Sequence, residues 1–159
     1  MQHRIRAAAL VVSDGRLLLV RHRHPETGSE WWVPPGGGLR DGEDIFRCAA
    51  RETSEEAGIS VELGPVIYLR EFLDVEMQRH NLELFVLARS FQGAPNTSNL
   101  VPGDTDFQYV EEARFLSPQE MVGLTVFPEA LKDEFWRDLA QGNTGVRYLG
   151  QEAGASRKP

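Results

Sequence analysis

Three glycines, Gly36-Gly37-Gly38, stand shortly before a segment with helical periodicity that carries Glu52, Glu55 and Glu56. At about 100° per residue, positions i, i+3 and i+4 fall on one helical face, so the three carboxylates point the same way. Like charges at that spacing destabilise an isolated helix by roughly 0.2–0.5 kcal/mol per pair. A fold that accepts such a face usually sets a cation against it. The glycines add a second constraint, because a stretch without Cβ atoms lets another element approach closely. Gly58 suits the left-handed residue that ends a helix, which predicts a helix from about Asp44 to Ala57. Phe46, Ala50, Thr53 and Ala57, supported by Ile45 and Ala49, form a stripe of mostly small residues. The helix therefore reads as apolar on one face and acidic on the other.

Before this unit, Ile5 to Val12 is apolar and ends at Ser13-Asp14-Gly15, after which Leu17, Leu18 and Leu19 resume. Asp-Gly between apolar runs signals a two-residue hairpin, so antiparallel strands are expected near 4–13 and 16–22. Arg21-His22-Arg23-His24 follows, with Arg21 and Arg23 on one strand face as candidates to meet substrate phosphates. Trp31-Trp32-Val33 reads as a short strand. One tryptophan belongs in the core, and Trp32 is the candidate to stack on a base.

Beyond the helix, Val61 to Leu73 reads as one or two strands around Gly64-Pro65, and Asp74 to Asn81 as a polar connection. Leu82 to Ser90 has the composition of a buried central strand. Gln92 to Asp106 is a long loop, and Glu112 to Leu116 a short strand. Ser117-Pro118-Gln119-Glu120 matches a capping box and starts a short helix. A last helix is expected over about 128–141. One domain over 1–149 and a disordered tail from Gly150 complete the expected organisation.

The 159 residues are enough for one substantial core. A net charge of −7 and a pI near 5.1 argue against a nucleic-acid or anionic-membrane surface. They leave room for a small anionic substrate, because a divalent metal reverses the local field. A single cysteine, Cys48, fits a reducing cytoplasm. The basic start followed by an apolar run is too short for a signal peptide and reads as a strand. No apolar run approaches the roughly 18 residues of a membrane span. Phe72, Phe91 and Phe127 suit either the core or the face of a homodimer.

Written with its gaps, the central stretch is Gly37, five residues, Glu43, seven residues, Arg51-Glu52, two residues, Glu55-Glu56, one residue, Gly58-Ile59. This resembles the Nudix box of hydrolases acting on a nucleoside diphosphate linked to another group. The Trp and Pro-Gly-Gly ahead of it and the paired-strand start are also similar to that family. Thr53 stands where an aliphatic residue is commoner, and Arg40 where an acidic one is frequent; neither alters the carboxylates.

The resemblance implies an α/β fold, an α/β/α sandwich with a mixed central sheet. It implies that Glu52 and Glu56 ligate Mg²⁺, or Mn²⁺, through hard oxygens. Glu55 becomes a further ligand or the general base, and a carbonyl of Gly36 or Gly37 an extra ligand. Arg51 would orient Glu55, and Glu43 would brace the loop or a metal-bound water. Many members add a carboxylate from a later loop, for which Asp106 and Glu111 are the candidates here.

The same resemblance implies hydrolysis of a small-molecule nucleotide. The proline that ADP-ribose hydrolases carry about sixteen residues past the box, and the nearby tyrosine of many diadenosine-polyphosphate hydrolases, are replaced by Val75, Glu76 and Met77. The upstream motif of the coenzyme A type is also missing. What remains is similar to the nucleoside-triphosphate type, which includes sanitisers of oxidised purines such as 8-oxo-dGTP. Dinucleoside polyphosphates are equally compatible, with ADP-ribose or nucleotide sugars as the alternative. A non-catalytic nucleotide-binding regulator is a different class; retention of Glu43, Glu52, Glu55 and Glu56 argues against it.

Overall fold

The protein is described from a computed structural model, over residues 1–142 and 145–154. In chain order its strands are β1 Gln2–Leu10, β2 Val12–Ser13, β3 Arg16–Arg23, β4 Glu30–Val33 and β5 Gly36–Gly38. Helix α1, Ile45–Ala57, precedes β6 Ser60–Asp74 and β7 Arg79–Gln92. Then come the short helix α2 Thr105–Tyr109, β8 Val110–Leu116, a 3-10 turn Glu129–Lys132, α3 Glu134–Ala140 and β9 Arg147–Gly154.

Two sheets form. The larger has the order β5-β1-β7-β6-β9 and is mixed: β1 runs parallel to β7, while β5 and β6 are antiparallel to their neighbours β1 and β7. In the smaller, β3 pairs with β2, β4 and β8. Side chains alternate along β1. Ala7 and Ala9 pack against α1 with Leu18, Val20, Cys48 and Ala49. Leu10, on the other face, joins Phe85, Leu131 and Phe135. The result is the α/β/α sandwich around a mixed sheet.

The Asp14-Gly15 turn forms as expected, with both residues at positive φ (49° and 69°) and Val12 opposite Leu17. The strand entering it differs from the expectation. Rather than one strand over 4–13, the chain breaks after Leu10, so β1 belongs to the larger sheet and β2 to the smaller. Val61 to Leu73 lies within one long strand whose bulges fall around Leu63 to Tyr68. The capping box at Ser117 closes reciprocally: Ser117 N–H donates to Glu120 (2.7 Å) and Glu120 N–H to the Ser117 hydroxyl (3.2 Å). Turns follow it instead of a helix. The expected last helix is a 3-10 turn and α3, separated at Asp133. Residues 150–154, expected in a disordered tail, lie in β9 and run parallel to β6; residues 155–159 lie outside the described part.

Candidate active site

Helix α1 is set by its two ends. The Asp44 side chain caps it by accepting from Arg47 N–H (2.8 Å), and Gly58 closes it in the left-handed conformation. Its faces divide differently from the apolar-versus-acidic expectation. Glu52 and Glu56 are buried with Cys48, Ala49, Thr53 and Ala57, whereas Phe46 is exposed. Thr53 fits the packed face because its hydroxyl donates to the Ala49 carbonyl (2.6 Å). The cost to be explained is therefore larger than helix-surface repulsion. Removing an ionised carboxylate from water costs several kcal/mol unless it is compensated.

The glycines let these carboxylates reach their place. Strand β5 is the edge of the larger sheet, and α1 packs directly on it. A Cβ on Gly37 would collide with the Glu52 carboxylate, and one on Gly36 would lie 2.5 Å from the Ala8 Cβ. Gly36 N–H donates to Glu56 Oε1 (2.9 Å). The Gly37 carbonyl faces α1 and accepts from the Cys48 thiol (3.4 Å). Burial, and then the charges of Glu52 and Glu43, push that thiol up to about 11, so at neutral pH it remains protonated.

Arg51 is the cation that orders the rest. It donates twice to Glu43 (2.8 and 2.9 Å), to Glu52 Oε1 (2.8 Å), to Glu55 Oε2 (3.3 Å) and to the Gly38 carbonyl (3.3 Å). Its hydrogen bonds to Glu43 chiefly raise its own pKa, against the effect of burial. The same bonds hold Glu43 down at about 2. Glu43 also accepts from Arg40 N–H (3.0 Å), bracing the turn before the helix. Arg40 reaches Glu55 (3.4 Å) from the exposed side. Glu52 Oε2 is buried and accepts no hydrogen bond among the described residues.

Beyond Glu56 stands His22, 3% exposed, with Nε2 3.6 Å from Glu56 Oε2 and Nδ1 3.3 Å from the Val20 carbonyl. Ligand atoms of His22, Glu56 and Asp106 all lie within 4.8 Å of one another. Two charge states suit this geometry: an imidazolium neutralising Glu56, or a neutral ring whose Nε2 joins the carboxylates around a cation. A metal would displace the proton and select the second state. Buried Glu52 and Glu56, with this trio, fit a hard divalent cation.

Of the two later carboxylates, Asp106 on α2 is brought to the site; Glu111 is exposed on β8. Arg21, Arg23 and Trp32 are placed elsewhere. Arg21 pairs with Glu30 (2.9 Å) and Glu112 (3.2 Å), and Arg23 is exposed. Trp32 is in the core, with the Arg114 guanidinium 5.4 Å from its ring centre. The reason is strand parity. In the β3–β4 register Arg21 faces Trp32 and His22 faces Trp31, and successive side chains alternate faces. The site thus receives His22 and Trp31, whose rings stack at 5.5 Å. A lone histidine in line with inward-facing Leu18 and Val20 was the available signal for His22.

A cavity of about 650 Å³ opens beside these groups, lined by Glu52, Glu55, Arg51, His22, Trp31 and Asp106 among others. Its volume suits a small organic ligand. Phe72 and Phe127 line it too, whereas Phe91 packs on Phe115 (5.4 Å).

A mixed sheet between helical layers, with a glycine edge strand against a carboxylate-bearing helix, defines the architecture. The chain matches the NUDIX domain over residues 1–138, and it belongs to that family. A crystal structure of a MutT NUDIX hydrolase from Burkholderia pseudomallei is similar at a TM-score of 0.67 and 27% identity, covering 84% of this chain and 98% of that one. The E. coli ORF135 protein shares the fold at a TM-score of 0.69 and 20% identity, over 91% and 96% of the two chains. An RNA pyrophosphohydrolase from Novosphingobium aromaticivorans is 41% identical over 58 residues, 36% of this chain and 35% of that protein. Diphosphoinositol polyphosphate phosphohydrolase 2 from Rattus norvegicus is 35% identical over 74 residues, 46% and 37% of the respective lengths. The matched parts are thus little more than a third of those two relatives. Among the described residues no helix is long and apolar enough to cross a membrane.

Proposed function

We propose that the chain is a divalent-metal-dependent pyrophosphohydrolase that cleaves a phosphoanhydride bond by attack of water at phosphorus. The observation that carries this reading is the burial of Glu52 and Glu56 beside a cavity lined by Arg51 and Glu55. Glu52 and Glu56 would hold Mg²⁺ or Mn²⁺, joined by Asp106, His22 and a carbonyl of Gly36 or Gly37. The bound cation would neutralise phosphoryl charge and ease deprotonation of water. Glu55, which accepts from Arg51 and Arg40, would take that proton, while Glu43 would hold Arg51 in position. Trp31 offers an apolar wall at the cavity.

Small nucleotides, among them nucleoside triphosphates and dinucleoside polyphosphates, are the substrate class this reading starts from. The names of the relatives extend it to other diphosphate-bearing molecules. The test is phosphate or nucleotide release from a panel: 8-oxo-dGTP, GTP, diadenosine tetraphosphate, ADP-ribose and a sugar nucleotide. Turnover of at least one with Mg²⁺ or Mn²⁺, abolished by chelator, is expected. Saturable nucleotide binding without product would instead favour the regulator.

A further inference from the structure

The cavity floor is one face of the larger sheet. Registers Arg6 with Glu83, Arg70 with Glu83, and Asp74 with Arg79 put these side chains on the same side. Arg4 shares that side, two residues before Arg6 on β1. Four guanidiniums, Arg4, Arg6, Arg70 and Arg79, therefore line a single cavity next to the glutamates of α1.

Their partners do not suffice. Glu83 is shared between Arg70 (3.1 Å) and Arg6 (3.5 Å), and Glu152 lies 3.9 Å from Arg70. Arg70 is only 6% exposed, and its Nε, the atom 3.1 Å from Glu83, is not aligned for a hydrogen bond there. Asp74 accepts from Met77 N–H (3.0 Å) in the turn that precedes Arg79. Neither Arg4 nor Arg79 has a carboxylate within 4 Å among the described residues. Arg4 lies over Gly38, where a Cβ would come within 2.5 Å of its Nε. Burial, then Arg6 and Arg79, push its pKa down, with Glu52 opposing them. Such half-buried like charges repel, and an anion relieves the repulsion through charge-assisted hydrogen bonds.

The run is also long. Arg79 is level with Gln2, four residues from Arg6, so their backbone positions are about 13 Å apart along the strands at roughly 3.3 Å per residue. Side chains rooted that far apart can meet more than one anionic group, whereas a nucleobase brings no negative charge to the far end. We propose that this sheet face is a second anion site. The substrate is then a diphosphate ester whose organic half carries at least one further phosphate. This deepens the hydrolase reading and rests on it.

The test compares wild type with Arg79→Gln on matched diphosphate esters, ADP-ribose and its 2′-phosphate, together with a fully phosphorylated diphosphoinositol. The wild type is expected to prefer the additionally phosphorylated substrates by about tenfold or more in kcat/KM, carried by KM, the scale of a charge-assisted hydrogen bond. Arg79→Gln should cut that preference about tenfold. Equal use of both members of the pair by the wild type, or a preference unchanged in the variant, overturns the proposal. A second arm works with chelator present. Inositol hexakisphosphate should raise the Tm of the wild type, and raise that of Arg79→Gln less; no rise in the wild type overturns the anion site. Failure of every ester to turn over with metal would count against the hydrolase reading, and the chelator arm would still judge the anion site.

Discussion

Glu56→Gln is expected to lower metal-dependent turnover by about 10³-fold, the scale of losing a preorganised electrostatic group at a reacting centre. The substitution keeps the size of the side chain and an oxygen to accept from Gly36 N–H, so the glycine edge stays where it is. It removes a charge that is fully buried. Without metal and with the His22 ring neutral, the Tm of the variant should hold or rise, because burying a neutral amide costs less than burying a carboxylate. Activity and stability move in opposite directions in this result, which a carboxylate serving only the fold would not produce. Near-normal turnover would remove Glu56 from the chemistry.

Arg51→Met should damage both. It leaves Glu43, Glu52 and Glu55 without the cation they share, and breaking a buried pair from one side costs about 3 kcal/mol or more. For a chain of this size that corresponds to a Tm lowered by roughly 6–12 °C. Lysine restores the charge but not the fork that grips Glu43 twice, so Arg51→Lys should recover part of the stability and little activity. The pH dependence has a defined sign. Glu43 titrates at about 2 against its ordinary 4.5, so its pairing contributes stability fully above about 4.5 and loses it as pH falls towards 2. Urea unfolding at pH 7 and pH 2.5 should show the gap between wild type and Arg51→Met narrowing in acid. A gap independent of pH would mean that Arg51 acts through packing alone.

Local chemistry was well marked along the chain. Asp14-Gly15 could take positive φ, Gly58 could end a helix, and the spaced glycine and acid pattern identified α1 and its neighbours. What could not be read locally was which way each element faces. The period of two makes a strand face all-or-none, so choosing Arg21 and Trp32 missed His22 and Trp31 by a single residue. The burial of Glu52 and Glu56 depends on a glycine edge strand lying against α1, a contact between elements rather than a property of the helix. The arginine floor is assembled from β1, β6 and β7, whose arginines are up to 75 positions apart between Arg4 and Arg79. Strand β9 hides because Arg147 to Gly154 contains two glycines and charged residues, and its pairing to β6 supplies what its own pattern lacks.

On the proposed function, the carboxylates of α1 hold a divalent cation. The most direct measurement is an Mn²⁺ titration followed by electron paramagnetic resonance, on wild type and on the Glu52→Gln, Glu56→Gln double variant. Saturable loss of the free-ion signal is expected in the wild type and none in the double variant with its fold intact. Equal uptake by both proteins, or no uptake by the wild type, would contradict it.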